Sequence, residues 1–227
     1  MFNTKEVVQD DVSRGPVTGL KARSFTVNAD EVVEFKEESV VCNVFVITPA
    51  DEETNVQQAA YQLARHYAHS IGFSTLLVDG RIERSNNMKE EGQNLGLTNY
   101  LIQEECYLMN LISVLEGRLL FGLELGQPGF NEPARQLHHG LVGCLDQLRR
   151  HFEVVIIYTD TVVGTPSTQL FVPLADHILL LARQRKTLLE HLKKSKEFLM
   201  KCEAKEISIL LQTNAHLIKR FARFLRL

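Results

Sequence analysis

Short apolar runs alternate with segments of helical periodicity through the middle of the chain. The first apolar run covers residues 40–47, and the second, residues 74–79, ends on a carboxylate. Between them, apolar side chains recur three and four positions apart, as they do on one face of a helix. They are Val56, Ala59, Ala60, Leu63, Ala64 and Tyr67. The pattern predicts a strand, a helix and a second strand in that order.

The alternation continues toward the C-terminus. Further strands are predicted at residues 117–125, 152–158, 176–182 and 206–211. Helices are predicted at residues 97–103, in a following segment that ends at residue 116, after an N-cap at Asn131, at 187–202 and at 216–227. A polar loop is predicted at residues 81–93. Because strands that alternate with helices favour parallel pairing, we expect an α/β fold. Its sheet should be doubly wound and mostly parallel, with helices on both faces.

The pattern divides the chain into three parts. Residues 1–39 mix charges with Gly15, Pro16 and Gly19 and show no sustained apolar period, which predicts an extended N-terminal arm. Residues 40–212 form the α/β domain. Residues 213–227 form a basic amphipathic helix at the C-terminus.

Composition narrows the function classes. The chain has 227 residues, 44% of them hydrophobic, and a formal charge of -3, so it shows no overall bias toward nucleic acid. The four cysteines form no Cys-x-x-Cys pair, and His138 and His139 have no carboxylate or thiol at ligand spacing, so no metal site is predicted. The N-terminus does not resemble a signal peptide, and no apolar run reaches the roughly 18 residues of a membrane span. We therefore expect a cytoplasmic protein.

The segment between the first strand and the first helix is where a nucleotide-binding α/β protein keeps its phosphate loop. Such a loop needs glycines, a lysine and a Ser or Thr that binds magnesium. Residues 48–57 contain no glycine and no lysine, and Pro49 lacks an N–H donor. Asp51, Glu52 and Glu53 add three carboxylates, and each pair of like charges about 5 Å apart costs on the order of 3 kcal/mol. The segment is not expected to bind a triphosphate.

Several stretches together resemble one family. They are residues 73–84, 95–102, 127–137 and 152–183, which read FSTLLVDGRIER, LGLTNYLI, QPGFNEPARQL and FEVVIIYTDTVVGTPSTQLFVPLADHILLLAR. Over about residues 40–211 the chain resembles the bacterial tyrosine kinases of exopolysaccharide synthesis and the ParA/MinD-type ATPases. The resemblance implies a P-loop NTPase-like fold.

The departures from the family pattern fall on its catalytic positions. The resemblance places Val56 at the phosphate-loop lysine and Gln57 at the magnesium-binding Ser or Thr. Asp79 keeps the first acidic position after the second strand, whereas Arg81 replaces the acid two residues later. Tyr158 stands where the family has a magnesium-organising aspartate, and it is expected to fill that space with an aromatic ring. We predict no catalytic residue and no cofactor.

Three groups near this site have alternative interpretations. Asp79 is either a remnant base or metal ligand, or a helix cap or loop anchor. Asp160 either substitutes for the lost acid or is an ordinary loop carboxylate. Arg183, Arg185 and Lys186 form either a functional basic cluster just past a strand or a solvated basic turn, and we expect the solvated turn.

The family's C-terminal tyrosine cluster has no counterpart, because no tyrosine follows Tyr158, and its ring-forming Glu/Arg motif is unmatched at residues 31–38. The resemblance therefore implies a non-catalytic, pseudokinase-like subunit that regulates or scaffolds exopolysaccharide polymerisation and export. Its partner would be a membrane-embedded polysaccharide co-polymerase, the chain length determinant. The alternatives are a divergent ATPase or tyrosine kinase with a rebuilt nucleotide site, and a structural homodimer subunit.

The predicted C-terminal helix has one apolar and one basic face. The apolar face consists of Leu217, Phe221, Phe224 and Leu225, and the basic face of Lys219, Arg220, Arg223 and Arg226. This arrangement suits the surface of an anionic membrane, so peripheral attachment to the inner membrane is one interpretation. The others are that the helix binds a partner or docks on its own domain.

Deletion of residues 216–227 distinguishes these interpretations. If the helix binds a membrane or partner, the truncated chain should keep its melting temperature and lose co-sedimentation with anionic vesicles. Burying one of its apolar side chains is worth about 1.5 to 3 kcal/mol. A truncated chain that unfolds, or a full-length chain that ignores anionic lipid at low salt, would rule out the membrane interpretation.

Overall fold

The computed structural model describes residues 42–81, 95–102, 106–126, 134–163 and 165–212. The predicted N-terminal arm, nearly all of the predicted loop at 81–93, Asn131 and the predicted C-terminal helix lie outside these residues. Their boundaries and contacts therefore stay predictions.

Seven strands form one sheet in the order β3-β4-β2-β5-β1-β6-β7 within the described residues. They are β1 (Asn43–Pro49), β2 (Thr75–Asp79), β3 (Ile112–Glu116), β4 (Leu120–Leu123), β5 (Val154–Tyr158), β6 (His177–Arg183) and β7 (Ile207–Gln212). Only the edge pair β3–β4 is antiparallel, and the other pairs are parallel. The mostly parallel sheet is confirmed.

Five α-helices connect or flank these strands within the described part of the chain. They are α1 (Val56–His66), α2 (Leu97–Ile102), α3 (Ala134–His151), α4 (Pro166–Phe171) and α5 (Leu189–Lys201). A π-helical turn, Tyr67–Ile71, continues α1, and Gly72 ends it with a φ of 88°, where a side chain would be strained. The predicted helix at residues 56–67 is therefore confirmed.

Successive residues of the central strand β5 serve two separate cores. Val155 and Ile157 belong to the core beneath α3, α4 and α5, whereas Val154 and Ile156 belong to the core beneath α1. A strand buried on both faces lacks a polar side, which explains its continuous apolar sequence. Helices therefore cover both faces of the sheet, as the doubly wound prediction requires.

Two elements differ from the sequence predictions. The segment expected to be helical through residue 116 is the strand β3, which forms a hairpin with β4 around Gly117 at a φ of 64°. The strand predicted at 117–125 is correspondingly shorter. The helix α4 was not predicted, because it is only 6 residues long and buries Ser167 and Thr168, which interrupt any apolar period.

A single carboxylate joins three elements on the α3 side of the sheet. Asp176, at the entry to β6, accepts hydrogen bonds from Arg149 Nη1 at 2.8 Å and from the Val44 backbone N–H at 2.9 Å. Arg149 also donates to the carbonyl of Cys42 at 2.9 Å. Burial raises the pKa of Asp176, but the hydrogen bonds from Arg149 and Val44 outweigh it and hold that pKa below its ordinary value.

Replacement of Asp176 by Asn should lower the free energy of unfolding at neutral pH by about 1.5 to 3 kcal/mol, because a charged hydrogen bond is lost. Since the folded-state pKa of Asp176 is depressed, its contribution is present above the ordinary pKa of 3.8 and is lost as the pH falls through the folded value. Urea unfolding from pH 7 to pH 2 should therefore show a smaller acid-dependent loss in the variant. Asp146→Asn, at an exposed site on α3, is the control and should behave like the parent chain.

Candidate functional site

The turn between β1 and α1 is shorter than the sequence suggested. Thr48 and Pro49 belong to β1, and Val56 begins α1, so the turn covers residues 50–55. Pro49 pairs with Leu181 of β6, so its missing N–H is a feature of the strand and not of the turn. The missing N–H noted in the sequence therefore lies at the last residue of β1, directly before the turn.

The turn is capped by its own side chains. Asn55 is the N-cap of α1, and its Oδ1 accepts a hydrogen bond from the Gln58 backbone N–H at 3.0 Å. Thr54 Oγ1 donates to Asp51 Oδ1 at 2.6 Å. Asn and Asp make such local bonds readily, which is why they favour helix caps and turns. The turn is thus ordered by side-chain acceptors in place of an anion.

Arg183, at the end of β6, binds two of the three acids of this turn. Its Nη2 lies 2.6 Å from Glu53 Oε2 and 3.5 Å from Asp51 Oδ1. Thr187 Oγ1 accepts from the Arg183 backbone N–H at 2.8 Å and donates to Asp51 Oδ2. The chain therefore forms a closed cluster of two carboxylates, one guanidinium and two hydroxyls, which we call the Arg183 cluster.

The cluster changes two expectations about charge. Arg183 is not part of a solvated basic turn, because 17% of its side chain is exposed and it binds two carboxylates, whereas Arg185 and Lys186 are exposed as expected. Burial raises the pKa of Asp51, but hydrogen bonds from Thr187 and Thr54 and the charge of Arg183 outweigh it and lower that pKa. Asp51 therefore stays ionised, and the repulsion expected among the carboxylates is partly offset.

A second ion pair closes the end of β2. Asp79 Oδ1 accepts from the Arg81 backbone N–H at 3.0 Å and from Nε at 2.9 Å, and Oδ2 accepts from Nη2 at 2.6 Å. Both side chains are about nine-tenths buried, with exposures of 10% for Arg81 and 9% for Asp79. This bidentate geometry is the strongest kind of protein ion pair. It favours the interpretation of Asp79 as an anchor for the chain that follows β2.

Tyr158 completes this arrangement from the neighbouring strand. It pairs with Asp79 across β2 and β5, and the Arg81 guanidinium carbon lies 4.9 Å from the centre of its ring. Burial raises the pKa of Tyr158, and the charge of Asp79 and a hydrogen bond to it raise it further. Tyr158 is therefore a neutral ring that fills the space at the end of β5.

A cavity of about 440 Å³ lies between these strand ends and α1. Of the residues selected from the sequence, Gln57, Asp79 and Tyr158 line it. Asp51 and Glu53 instead belong to the Arg183 cluster, and Glu52 is exposed. Val56, the first residue of α1, is buried in the core between α1 and the sheet. Asp160 lies in the loop after β5, where its carbonyl accepts from Thr48 Oγ1 at 2.9 Å.

Sequence reasoning missed several polar residues of this cavity, namely Asn55, Gln58, Tyr61 and Glu124. Tyr61 follows Gln57 by four positions and therefore shares its helix face, a spacing that could have identified it. Its hydroxyl donates to Glu116 at 2.8 Å. Glu124 directly follows β4, whose pairing with β2 is not evident from the sequence.

Among the described residues, no three His, Cys, Asp or Glu side chains come together as metal ligands would, and the rings of His138 and His139 contact each other edge to face. No helix in the described ranges combines the length and the apolar character needed to cross a membrane.

Comparison with known proteins shows which solved structures have a similar fold. No protein-family profile and no curated protein sequence matches the chain. Among solved structures, the kinase domain of Escherichia coli tyrosine kinase ETK matches with a TM-score of 0.64 and 19% identity, over 81% of this chain and 72% of that one. The VpsO kinase domain matches with a TM-score of 0.65 and 18% identity, over 76% and 85%.

A plasmid partition protein from Borrelia burgdorferi also matches, with a TM-score of 0.59 and 16% identity, over 80% of this chain and 83% of that one. At these identities the likeness concerns the fold. The chain therefore has the α/β fold of bacterial tyrosine kinase domains and ParA/MinD-like ATPases.

Replacement of Arg81 by Met tests the ion pair at the end of β2. The variant leaves the Asp79 carboxylate buried without its cation, so the free energy of unfolding should fall by about 3 to 5 kcal/mol. The double variant Asp79→Asn/Arg81→Met removes both charges and keeps an acceptor for the backbone N–H, so it should lose clearly less. Urea unfolding measures both, and equal losses in the two variants would contradict the paired-charge account.

Proposed function

We propose that the chain, which shares its fold with bacterial tyrosine kinase domains, is a non-catalytic member of that group that works through protein–protein contacts. The observation that carries the proposal is the Arg183 cluster. Arg183 is bound by Glu53 and Asp51 of the turn. In this proposal, these acids of the chain take the place that a triphosphate would have at the turn.

The start of α1 supports the same conclusion. A phosphate loop binds its ligand through backbone N–H groups and the helix N-terminus. Here the Asn55 side chain accepts the Gln58 N–H, and no glycine lies between residues 48 and 57 to let the backbone close around an anion. A Mg²⁺–nucleotide complex does not suit these residues.

The end of β2 gives a further argument. Phosphoryl transfer needs carboxylates that can hold magnesium together with a lysine and a hydroxyl. Both oxygens of Asp79 accept hydrogen bonds from Arg81, and the neighbouring strand presents the neutral Tyr158. The charges of Asp79 and Arg81 therefore balance each other without a bound metal ion.

The partner in this proposal comes from the family resemblance. We propose a cytoplasmic subunit that regulates or scaffolds exopolysaccharide polymerisation and export, beside a membrane-embedded polysaccharide co-polymerase. Kinases of the resembled family are switched when such a partner's cytoplasmic tail docks on the domain, and a non-catalytic member would keep the docking without the transfer. Neither nucleic acid nor a cofactor has a role in this proposal.

One observation favours a second candidate, a divergent ATPase or tyrosine kinase with a rebuilt site. The cavity of about 440 Å³ beside Asp79 is within the size range of small-molecule sites, and it opens next to the start of α1. A nucleotide held there would have to be bound by amides and tyrosines in place of a lysine.

Calorimetric titration with Mg²⁺–ATP and Mg²⁺–ADP separates the two candidates. The non-catalytic proposal expects no saturable heat at physiological nucleotide concentrations, because the only described guanidinium at the turn is already bound by two carboxylates. Micromolar affinity, or phosphotyrosine on protein from a host without other tyrosine kinases, would favour the divergent enzyme.

Restoring the lysine alone at residue 56 should not create binding. Val56 is 5% exposed and packs in the core beneath α1, so a lysine there would bury an unpaired charge. We expect Val56→Lys to destabilise the fold by about 3 kcal/mol or more without saturable nucleotide binding. Gln57→Lys, at the next and exposed position, is the matched control for fold stability and should unfold like the parent.

A further inference from the structure

The last fifth of the chain differs in charge from the rest. Residues 183–227 hold twelve of the 25 Lys and Arg residues but only four of the 28 Asp and Glu residues. Within the described residues this excess lies on α5 and the loop before it, at Arg185, Lys186, Lys193, Lys194, Lys196 and Lys201. The protein as a whole is acidic, so this surface is a local cationic patch.

Three large apolar side chains in the same patch are exposed to solvent. Leu188 is 60% exposed, Leu189 65% and Met200 63%. On a helix of 3.6 residues per turn, Leu189 and Met200 lie within about 20° of each other, and Lys193 falls within about 40° of Leu189. The solvent face of α5 therefore has apolar residues at both ends and lysine between them.

The opposite face of α5 is firmly docked. Leu199 is fully buried in the core beneath α3, α4 and α5, and Leu192 and Phe198 pack against that core. The exposed leucines are thus not the result of a helix rotated away from the sheet. Their exposure follows from the position of the helix, because its other face is already packed against the core.

From these observations we propose that α5 and the loop before it, residues 185–201, form a docking surface for an anionic lipid membrane. A helix of 13 residues, about 20 Å long, can lie flat on a bilayer with Leu188, Leu189 and Met200 at the acyl boundary. Lysine stems reach along such a surface to place their ammonium groups among the phosphates. Of the two acids on this helix, Glu190 is bound by Lys194 at 2.7 Å and Glu197 is exposed.

The chain's own C-terminal segment is a poor alternative occupant. The strand β7 ends at Gln212, whose carbonyl accepts from the Gln184 N–H at 2.8 Å, and residue 184 directly precedes the proposed surface. Residues 213–227 carry four basic and no acidic residues, so like charges oppose their packing on α5. Both segments instead have the charge that an anionic surface attracts. The inference does not depend on whether the protein binds nucleotide.

The absence of tryptophan from the chain allows a site-specific test. Leu189→Trp places a single indole at the proposed contact of the full-length protein, and Val114→Trp places one on the exposed strand β3 at the far edge of the sheet. Vesicles of phosphatidylglycerol and phosphatidylcholine in equal amounts should shift the emission of Leu189→Trp to the blue and leave Val114→Trp unchanged. Vesicles of phosphatidylcholine alone should shift neither, and added salt should reverse the shift.

Charge reversal gives an independent measurement. Lys186→Glu/Lys193→Glu should reduce the partition of the full-length chain to the anionic vesicles at least about tenfold. Arg118→Glu/Arg150→Glu changes two exposed arginines elsewhere by the same total charge and should reduce it much less. Vesicle binding with no shift at residue 189 would assign the attachment to another segment and overturn the proposal. Binding of poly-glutamate without any response to vesicles would overturn it in favour of an acidic protein segment.

Discussion

Charges at the carboxyl edge of the sheet have to be balanced inside the chain, and this constraint shapes the whole candidate site. Parallel strands bring the ends of β1, β2, β5 and β6 to one edge, and acids lie at the ends of β1, β2 and β5. Arg183 binds Asp51 and Glu53, and Arg81 binds Asp79. Each arginine compensates the negative charge of a buried carboxylate, whose burial without a cation would be costly. Three acids at this edge are thus paired with arginines of the chain itself.

The strands were predictable because burial on both faces leaves a continuous apolar signature. β5 and β6 lie in the middle of the sheet, and their sequences contain scarcely any polar residue. The edge strand β3 lacks this signature, because most of its side chains are exposed and its identity depends on pairing with β4. Local periodicity therefore described the interior strands and the edge strand β7 better than the edge strand β3.

The candidate site was predictable only in part, for a reason of distance along the chain. The missing glycines and lysine and the acids of the turn are plain in the sequence, and Asp79 and Arg81 are two residues apart. The sequence does not reveal that Arg183 is the partner of Asp51 and Glu53. Arg183 lies about 130 residues further along the chain, and it reaches them only because β1 pairs with β6. A charge in a loop cannot be assigned as solvated or bound until the strand order is known.

The strand order also governs how this chain must fold. The strand β1 precedes both of its neighbours, β5 and β6, by more than 100 residues along the chain, since Asn43 pairs with Val154 and Phe45 with His177. Contacts that join such distant residues pay a large loop-closure entropy before they yield any gain, which slows folding. During synthesis, β1 therefore leaves the ribosome as an unpaired apolar strand and stays exposed until β5 and β6 have emerged. That interval is when the chain is most open to aggregation and to capture by chaperones.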